Sequence, residues 1–207
     1  MSSPSYVHVF QKGLPQGPTL VLLHGTGGDE NNLIPLAKSL LSEASLLGLR
    51  GKVLENGAPR FFRRFEEGVL DIEDWRARSA EVAEFIRAAA LEYGFNLRST
   101  YALGYSNGAN LATGILLLHS DTLAGAVLLR PMFVAEVATK PNLVGKSVLI
   151  NYGAHDPFLG DGDIVCLQNQ FTLAGAEVAV HEENTGHGLG PGDLPVVKAW
   201  LENRETT

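Results

Sequence analysis

Ser106 stands in Gly104-Tyr105-Ser106-Asn107-Gly108, a G-x-S-x-G pentapeptide. Before it runs the β-type segment Thr100-Tyr-Ala-Leu103, and after it the helical segment from Ala109 to Leu118. A serine on a sharp turn between a strand and a helix is forced into a strained backbone conformation that holds its hydroxyl free above a sheet. Side chains larger than hydrogen at 104 and 108 would collide with the neighbouring strand and helix. The helix that starts beside the serine aims backbone N–H groups and its positive end at any developing oxyanion. The chemistry such a residue performs is nucleophilic attack on an acyl carbon.

A serine hydroxyl needs a base within hydrogen-bond reach, normally a histidine oriented by a carboxylate. On an elbow of this kind the partners follow in chain order, acid and then histidine, each on a loop after a strand. Of the six histidines, His181 and His187 lie beyond every plausible acid. His181 closes the strand-like run Glu177-Val-Ala-Val-His181 and reads as a strand or surface residue. His187 sits in the glycine-lined loop Thr185-Gly-His-Gly-Leu-Gly190 and is the expected general base. Asp156, in the turn Gly153-Ala-His-Asp-Pro157 just beyond a strand, is the expected acid, with Asp163 in reserve. Asp161 and Asp163 precede a helix, where capping or solvation is the ordinary role. His155 reads as a loop residue.

The second half of an oxyanion hole is expected in an early strand-to-helix loop, which His24-Gly-Thr-Gly-Gly28 supplies. Glycines there let the backbone approach a substrate. The N–H groups of Thr26 and Asn107 form the expected donor pair, and His24 braces the loop by hydrogen bonding. A phosphate loop is poorly matched: Glu30 breaks G-x-G-x-x-G, and Lys140 stands where a P-loop ending at Gly145-Lys-Ser147 needs its first glycine. No metal motif occurs and no cofactor is expected. In Arg60-Phe-Phe-Arg-Arg-Phe65, Phe61 and Phe62 are candidates to line an acyl or aryl pocket, with an arginine for an acidic substrate group. The competing reading is a surface loop whose arginines pair with Glu66, Glu67, Asp71 or Glu73. Met132 and Phe133, beyond another strand end, are further pocket candidates.

The elements that must position these residues alternate β-type runs with amphipathic helices, the pattern of a mostly parallel sheet with helices on both faces. Strands are expected at 6–10, 19–23, 45–49, 100–105, 125–129, 147–152 and 177–181, the first two joined as a hairpin. Helices are expected at 33–41, 72–93, 164–174 and 194–201. Asp71 and Asp74 are placed to cap the second, Gly94 to stop it, and Asp193 to cap the last. The 207 residues, 45% of them hydrophobic, fit a single domain over 1–207. The net charge of −7 argues against nucleic acid as a partner. The start shows no secretory signal and no apolar run is long enough to span a bilayer, so a cytoplasmic protein without a membrane partner is expected. Cys166, the single cysteine, reads as a small buried hydrophobe.

Taken together, His24-Gly-Thr-Gly-Gly-Asp-Glu-Asn31, Gly104-Tyr-Ser-Asn-Gly-Ala-Asn110, the Asp156 turn and Thr185-Gly-His-Gly188 resemble the phospholipase/carboxylesterase family, small α/β-hydrolases without a large lid that include acyl-protein thioesterases. The resemblance runs from about residue 17 to 201. It implies an α/β-hydrolase fold and hydrolysis of a small-molecule ester. Asn107-Gly-Ala-Asn110 replaces the Gln-Gly-Gly usual after the serine in acyl-protein thioesterases. The segment from Arg50 to Arg64 is similar to one in bacterial hydrolases often encoded near hydroquinone-type dioxygenases. That subgroup implies carboxylesterase activity on small to medium acyl or aryl esters. A thioesterase or lysophospholipase would share the same residues, a carbon–carbon or nitrile lyase the same scaffold, and a non-catalytic ligand-binding protein the same fold. Family members are often dimers, so the resemblance allows a homodimer, while the sequence itself gives no oligomeric state.

Overall fold

A computed structural model describes residues 5–138 and 141–205; Lys140 and the first four residues, invoked above, lie outside them. The described strands are β1 (His8–Gln11), β2 (Thr19–Leu23), β3 (Ser45–Leu49), β4 (Val53–Glu55), β5 (Ala58–Arg60), β6 (Arg64–Glu66), β7 (Val69–Leu70), β8 (Thr100–Tyr105), β9 (Gly125–Leu129), β10 (Ser147–Gly153) and β11 (Glu177–Glu183). The helices are α1 (Ile34–Leu40), α2 (Ile72–Tyr93), α3 (Asn107–Leu118), α4 (Asp163–Leu173) and α5 (Asp193–Glu205). Seven strands form one sheet in the order β1-β3-β2-β8-β9-β10-β11. Only the β1–β3 pairing is antiparallel; the others are parallel.

Side chains alternate across a strand, so a strand buried on both faces feeds two cores. In β2, Val21 and Leu23 join Trp75, Val82 and Ile86 of α2, Leu111 and Ile115 of α3, and Phe171 of α4. Leu20 and Leu22 join Ile34 and Leu40 of α1 and Val197 and Trp200 of α5. The carboxyl ends of β2, β8, β9, β10 and β11 therefore open on one rim of the sheet, where loops are free to carry chemistry. The connection from β9 to β10 holds no helix or strand among its described residues, so no large lid is built there.

Helix α2 follows its sequence signals closely. Asp71 accepts a hydrogen bond from Asp74 N at 3.0 Å as N-cap, and Gly94 ends the helix in the left-handed region at φ 75°. Asp74 does not cap; its carboxylate accepts from Arg63 N and pairs with Arg63 and Arg78. Trp75 is fully buried against α3 and donates from Nε1 to Asn110 O at 2.8 Å.

Several expectations are corrected. β1 and β2 are not a hairpin, because β3 lies between them. The connecting loop bonds sideways instead, with Leu14 N donating to Glu43 O and Gly13 N to Ser45 Oγ, which carries β1 to the sheet edge. Cys166 is exposed, not buried; Leu167 and Phe171 are the buried residues of α4. Asp193 opens α5, but its carboxylate is committed to Arg130. Between β3 and α2 two hairpins were missed, β4–β5 and β6–β7. The first turns on Asn56-Gly57, both at positive φ, and Asn-Gly between short β-type runs is the strongest short hairpin signal.

Replacing Trp75 by alanine removes the fully buried side chain that ties α2 to α3, together with its hydrogen bond to Asn110 O, and leaves a cavity. Urea unfolding should show a loss of about 3–5 kcal/mol.

Candidate active site

The turn from β8 to α3 is held by contacts that only glycine permits at two positions. A Cβ on Gly108 would sit 2.0 Å from Leu23 O, and one on Gly104 would sit 2.6 Å from Gly108 O. The first turn of α3 thus rests directly on the end of β2. Between the two glycines Ser106 adopts φ 52° and ψ −115°, a conformation side chains rarely tolerate. The neighbouring sheet stabilises it: Ser106 N donates to Leu129 O at 2.8 Å and Asn110 N to Ser106 O at 3.0 Å.

Ser106, His187 and Asp156 meet at the sheet rim from three separate loops. His187 Nε2 lies 2.9 Å from Ser106 Oγ and His187 Nδ1 lies 2.7 Å from Asp156 Oδ2. With its proton on Nδ1, the imidazole donates to Asp156 and accepts from the serine. The Asp156 carboxylate is almost wholly buried, and its other oxygen accepts from Phe158 N at 3.0 Å. The Phe158 ring stands edge-on to the imidazole at 4.7 Å. Tyr105 fixes the loop by donating from its hydroxyl to His187 O at 2.9 Å. Asp163, the reserve acid, instead accepts from Gly160 N at the start of α4. His155 bonds Asn184.

Thr26 and Asn107 flank the serine in the same cleft. Asn107 is the first residue of α3, so its N–H has no intrahelical acceptor. Among the described residues neither its N–H nor that of Thr26 has a hydrogen-bond acceptor. The loop around Thr26 is otherwise tied down, with Gly27 N bonded to Pro59 O and Gly28 N to Gly25 O. His24 braces it: Gly51 N donates to Nε2 at 3.0 Å, and Nδ1 lies 2.6 Å from Gly25 O. Burial lowers the His24 pKa below the usual histidine value, which keeps this neutral arrangement in place. Asn107 also reaches the β4–β5 hairpin, its Oδ1 accepting from Phe61 N at 2.8 Å.

The cleft at Ser106 has a volume of about 240 Å³. Arg60, Arg64, Leu70, Asn110, Met132 and Phe158 line it together with the residues already named. Met132 is therefore where it was expected. Phe61 and Phe62 are not: both are fully buried in the core shared with α2 and α3. The turn at the end of β5 sends the aromatic pair inward, while Arg60 before it and Arg64 beyond it face the cleft. Phe133 lines a separate cavity with Glu136, Val137, Cys166 and Gln170. Arg60 and Arg64 share Glu55, at 3.1 and 2.9 Å, while Arg63 pairs with Asp71 and Asp74. Of the partners expected for these arginines, only Asp71 is used.

Arg130 was not foreseen. It is fully buried, sits at φ 55° just beyond β9, and pairs with Asp193 at 2.5 Å. The same guanidinium donates to Asn151 Oδ1, to Thr185 Oγ1 at 3.2 Å and to Gly188 O at 2.8 Å. It thereby grips the loop that carries His187 on either side of the histidine. The available signal was an arginine directly after an apolar strand, which needs a buried partner. His181, Glu183 and Asp193 bring possible metal-ligand atoms within 4.8 Å of one another, but Asp193 is already neutralised by Arg130.

No protein-family model matches the chain. It is 39% identical over 195 residues to "Putative hydrolase MhqD" of Bacillus subtilis (strain 168), covering 94% of this chain and 97% of that one. A Bacillus cereus carboxylesterase structure superposes with a TM-score of 0.91 at 46% identity, covering 95% of this chain and 93% of that one. A Mesorhizobium loti carboxylesterase gives 0.85 at 35% identity, covering 92% and 90%. Arabidopsis thaliana SOBER1, at 19% identity and a TM-score of 0.73 over 90% of this chain and 98% of that one, shares the fold.

Arg130→Met should cost about 3–5 kcal/mol in urea unfolding, because it strands the buried Asp193 carboxylate. Adding Asp193→Leu to that variant should recover part of the loss, which a repulsion-free core explains and a merely crowded one does not.

Proposed function

Because the chain belongs to the phospholipase/carboxylesterase family of α/β-hydrolases and is an ester hydrolase, we propose that Ser106, His187 and Asp156 form its catalytic triad. In this reading it is a serine carboxylesterase acting on small to medium acyl or aryl esters. The observation that carries the assignment is the unbroken chain of hydrogen bonds from Ser106 Oγ through His187 to the buried Asp156 carboxylate. Two unengaged N–H groups, on Thr26 and Asn107, stand in the same cleft.

Each part has one task. His187 Nε2 takes the serine proton as Oγ attacks the ester carbonyl carbon. The carbonyl oxygen, now negative, receives the N–H groups of Thr26 and Asn107, which need no reorganisation because both are fixed by the elbow and the bonded loop. Collapse of the tetrahedral intermediate breaks the ester C–O bond, and His187 hands its proton to the departing alcohol. Water then adds to the acyl carbon with His187 again as base, the acid leaves, and Ser106 regains its proton. Asp156 holds the Nδ1–H tautomer throughout and stabilises the imidazolium that forms twice per turnover. The buried setting of its carboxylate strengthens that interaction.

The cleft volume and its Leu70, Met132 and Phe158 lining suit a short acyl or aryl group rather than a long chain.

Ser106→Ala should lower kcat/KM for a short neutral ester by about 10⁴-fold or more, and Asp156→Asn by a comparable factor. A fluorophosphonate should label Ser106 in the parent enzyme alone. Unchanged turnover in Ser106→Ala would remove the assignment.

A further inference from the structure

The cleft wall next to Thr26 is charged in a way that ester hydrolysis does not require. Arg60 is only 3% exposed, yet it lines the cleft. Its Nη1 donates to Thr26 Oγ1 at 2.8 Å, which puts a guanidinium one side chain away from a proposed oxyanion donor. Arg64 lines the same wall with its side chain 26% exposed. The two cations share one carboxylate, Glu55: Arg64 approaches it with Nε at 2.9 and 3.1 Å and Nη2 at 2.9 Å, and Arg60 with Nη1 at 3.1 Å. Two positive charges thus face one negative charge. Glu67 also lines the cleft, but it is exposed at the rim, where water and salt screen it.

Burial disfavours this arrangement. Desolvation and the neighbouring Arg64 lower the pKa of Arg60, against the opposing pull of Glu55. A buried ion pair contributes little to stability compared with apolar side chains of similar volume, and such side chains would also suit an apolar cleft. Guanidinium groups earn a place at a binding site when a planar anion must be held, since their fork matches a carboxylate. The protein as a whole carries −7, so an anionic substrate meets attraction chiefly where this wall is presented.

We propose that Arg60 and Arg64 form an anion subsite, and that the preferred substrates are small esters bearing a free carboxylate, such as the half-esters of short dicarboxylic acids. The proposal rests on the triad assignment above and adds the substrate class. The carboxylate binds across the two guanidiniums, taking over part of the role of Glu55, while the ester carbonyl lies at Ser106. Hydrolysis of such a half-ester consumes one water and yields the dicarboxylate and the alcohol.

The test compares monomethyl succinate and monomethyl glutarate with their dimethyl esters by pH-stat, in the parent enzyme, Arg64→Met and Glu55→Gln, with thermal unfolding of each variant checked. The parent should favour the half-ester in kcat/KM by about tenfold or more, the worth of one charge-assisted contact. Arg64→Met should erase that ratio, and Glu55→Gln, which removes the competing carboxylate charge from both guanidiniums, should raise it. Equal rates on the two ester types, a preference that survives Arg64→Met, or a Glu55→Gln enzyme no more selective than the parent would each overturn the subsite. Failure to hydrolyse either ester, or turnover that survives Ser106→Ala, would instead count against the triad.

Discussion

The close approach of α3 to the end of β2 is the constraint on which the site depends. Gly108 lies against the Leu23 carbonyl with no room for a side chain, and this contact places the first N–H groups of α3 beside the loop that begins at His24. The proposed oxyanion donors come from two segments about eighty positions apart, yet one packing contact sets their relation. It also lifts Ser106 into a backbone conformation that costs energy locally. The bonds from Ser106 N to Leu129 O of β9 and from Asn110 N of α3 to Ser106 O hold it there.

Around that contact, polar groups do the positioning that a lid or a cofactor does in other enzymes. Arg130 spans β9, β10, the His187 loop and α5 through one buried guanidinium. Tyr105, next to Ser106 in sequence, bonds the carbonyl of His187 itself. His24 joins the oxyanion loop to the residues after β3. Arg130 and His24 are buried and Tyr105 is half-buried; each has defined partners, and such groups specify geometry because leaving them unpaired is expensive. The wall formed by the two hairpins between β3 and α2 is more open, and its charges reach the cleft.

Much of this was legible in the residues because the signals are local. Turn chemistry around Ser106, glycine and aspartate at the ends of α2, the continuous apolar runs of the strands and the 3.6-residue apolar period of the helices are written within short stretches of chain. Asp156 and His187 were picked out by the chain order that accompanies such an elbow together with the rule that loops beyond parallel strands share one rim. Where the reading failed, the missing information was pairing at a distance. Phe61 and Phe62 look alike to a reader of sequence whether they face a cleft or a core, and nothing near Cys166 tells which side of α4 meets the sheet.

The amino-acid sequence by itself determined the class of fold and singled out Ser106 and its candidate partners, since these follow from local conformational preference and chain order. Only the tertiary structure decided that β3 separates β1 from β2, that Arg130 meets Asp193, and that Arg60 and Arg64 rather than the neighbouring aromatics line the cleft. The physical reason is that such contacts join residues far apart in the chain, and their partners are chosen by packing and by the need to satisfy buried charge, neither of which leaves a periodic trace in sequence.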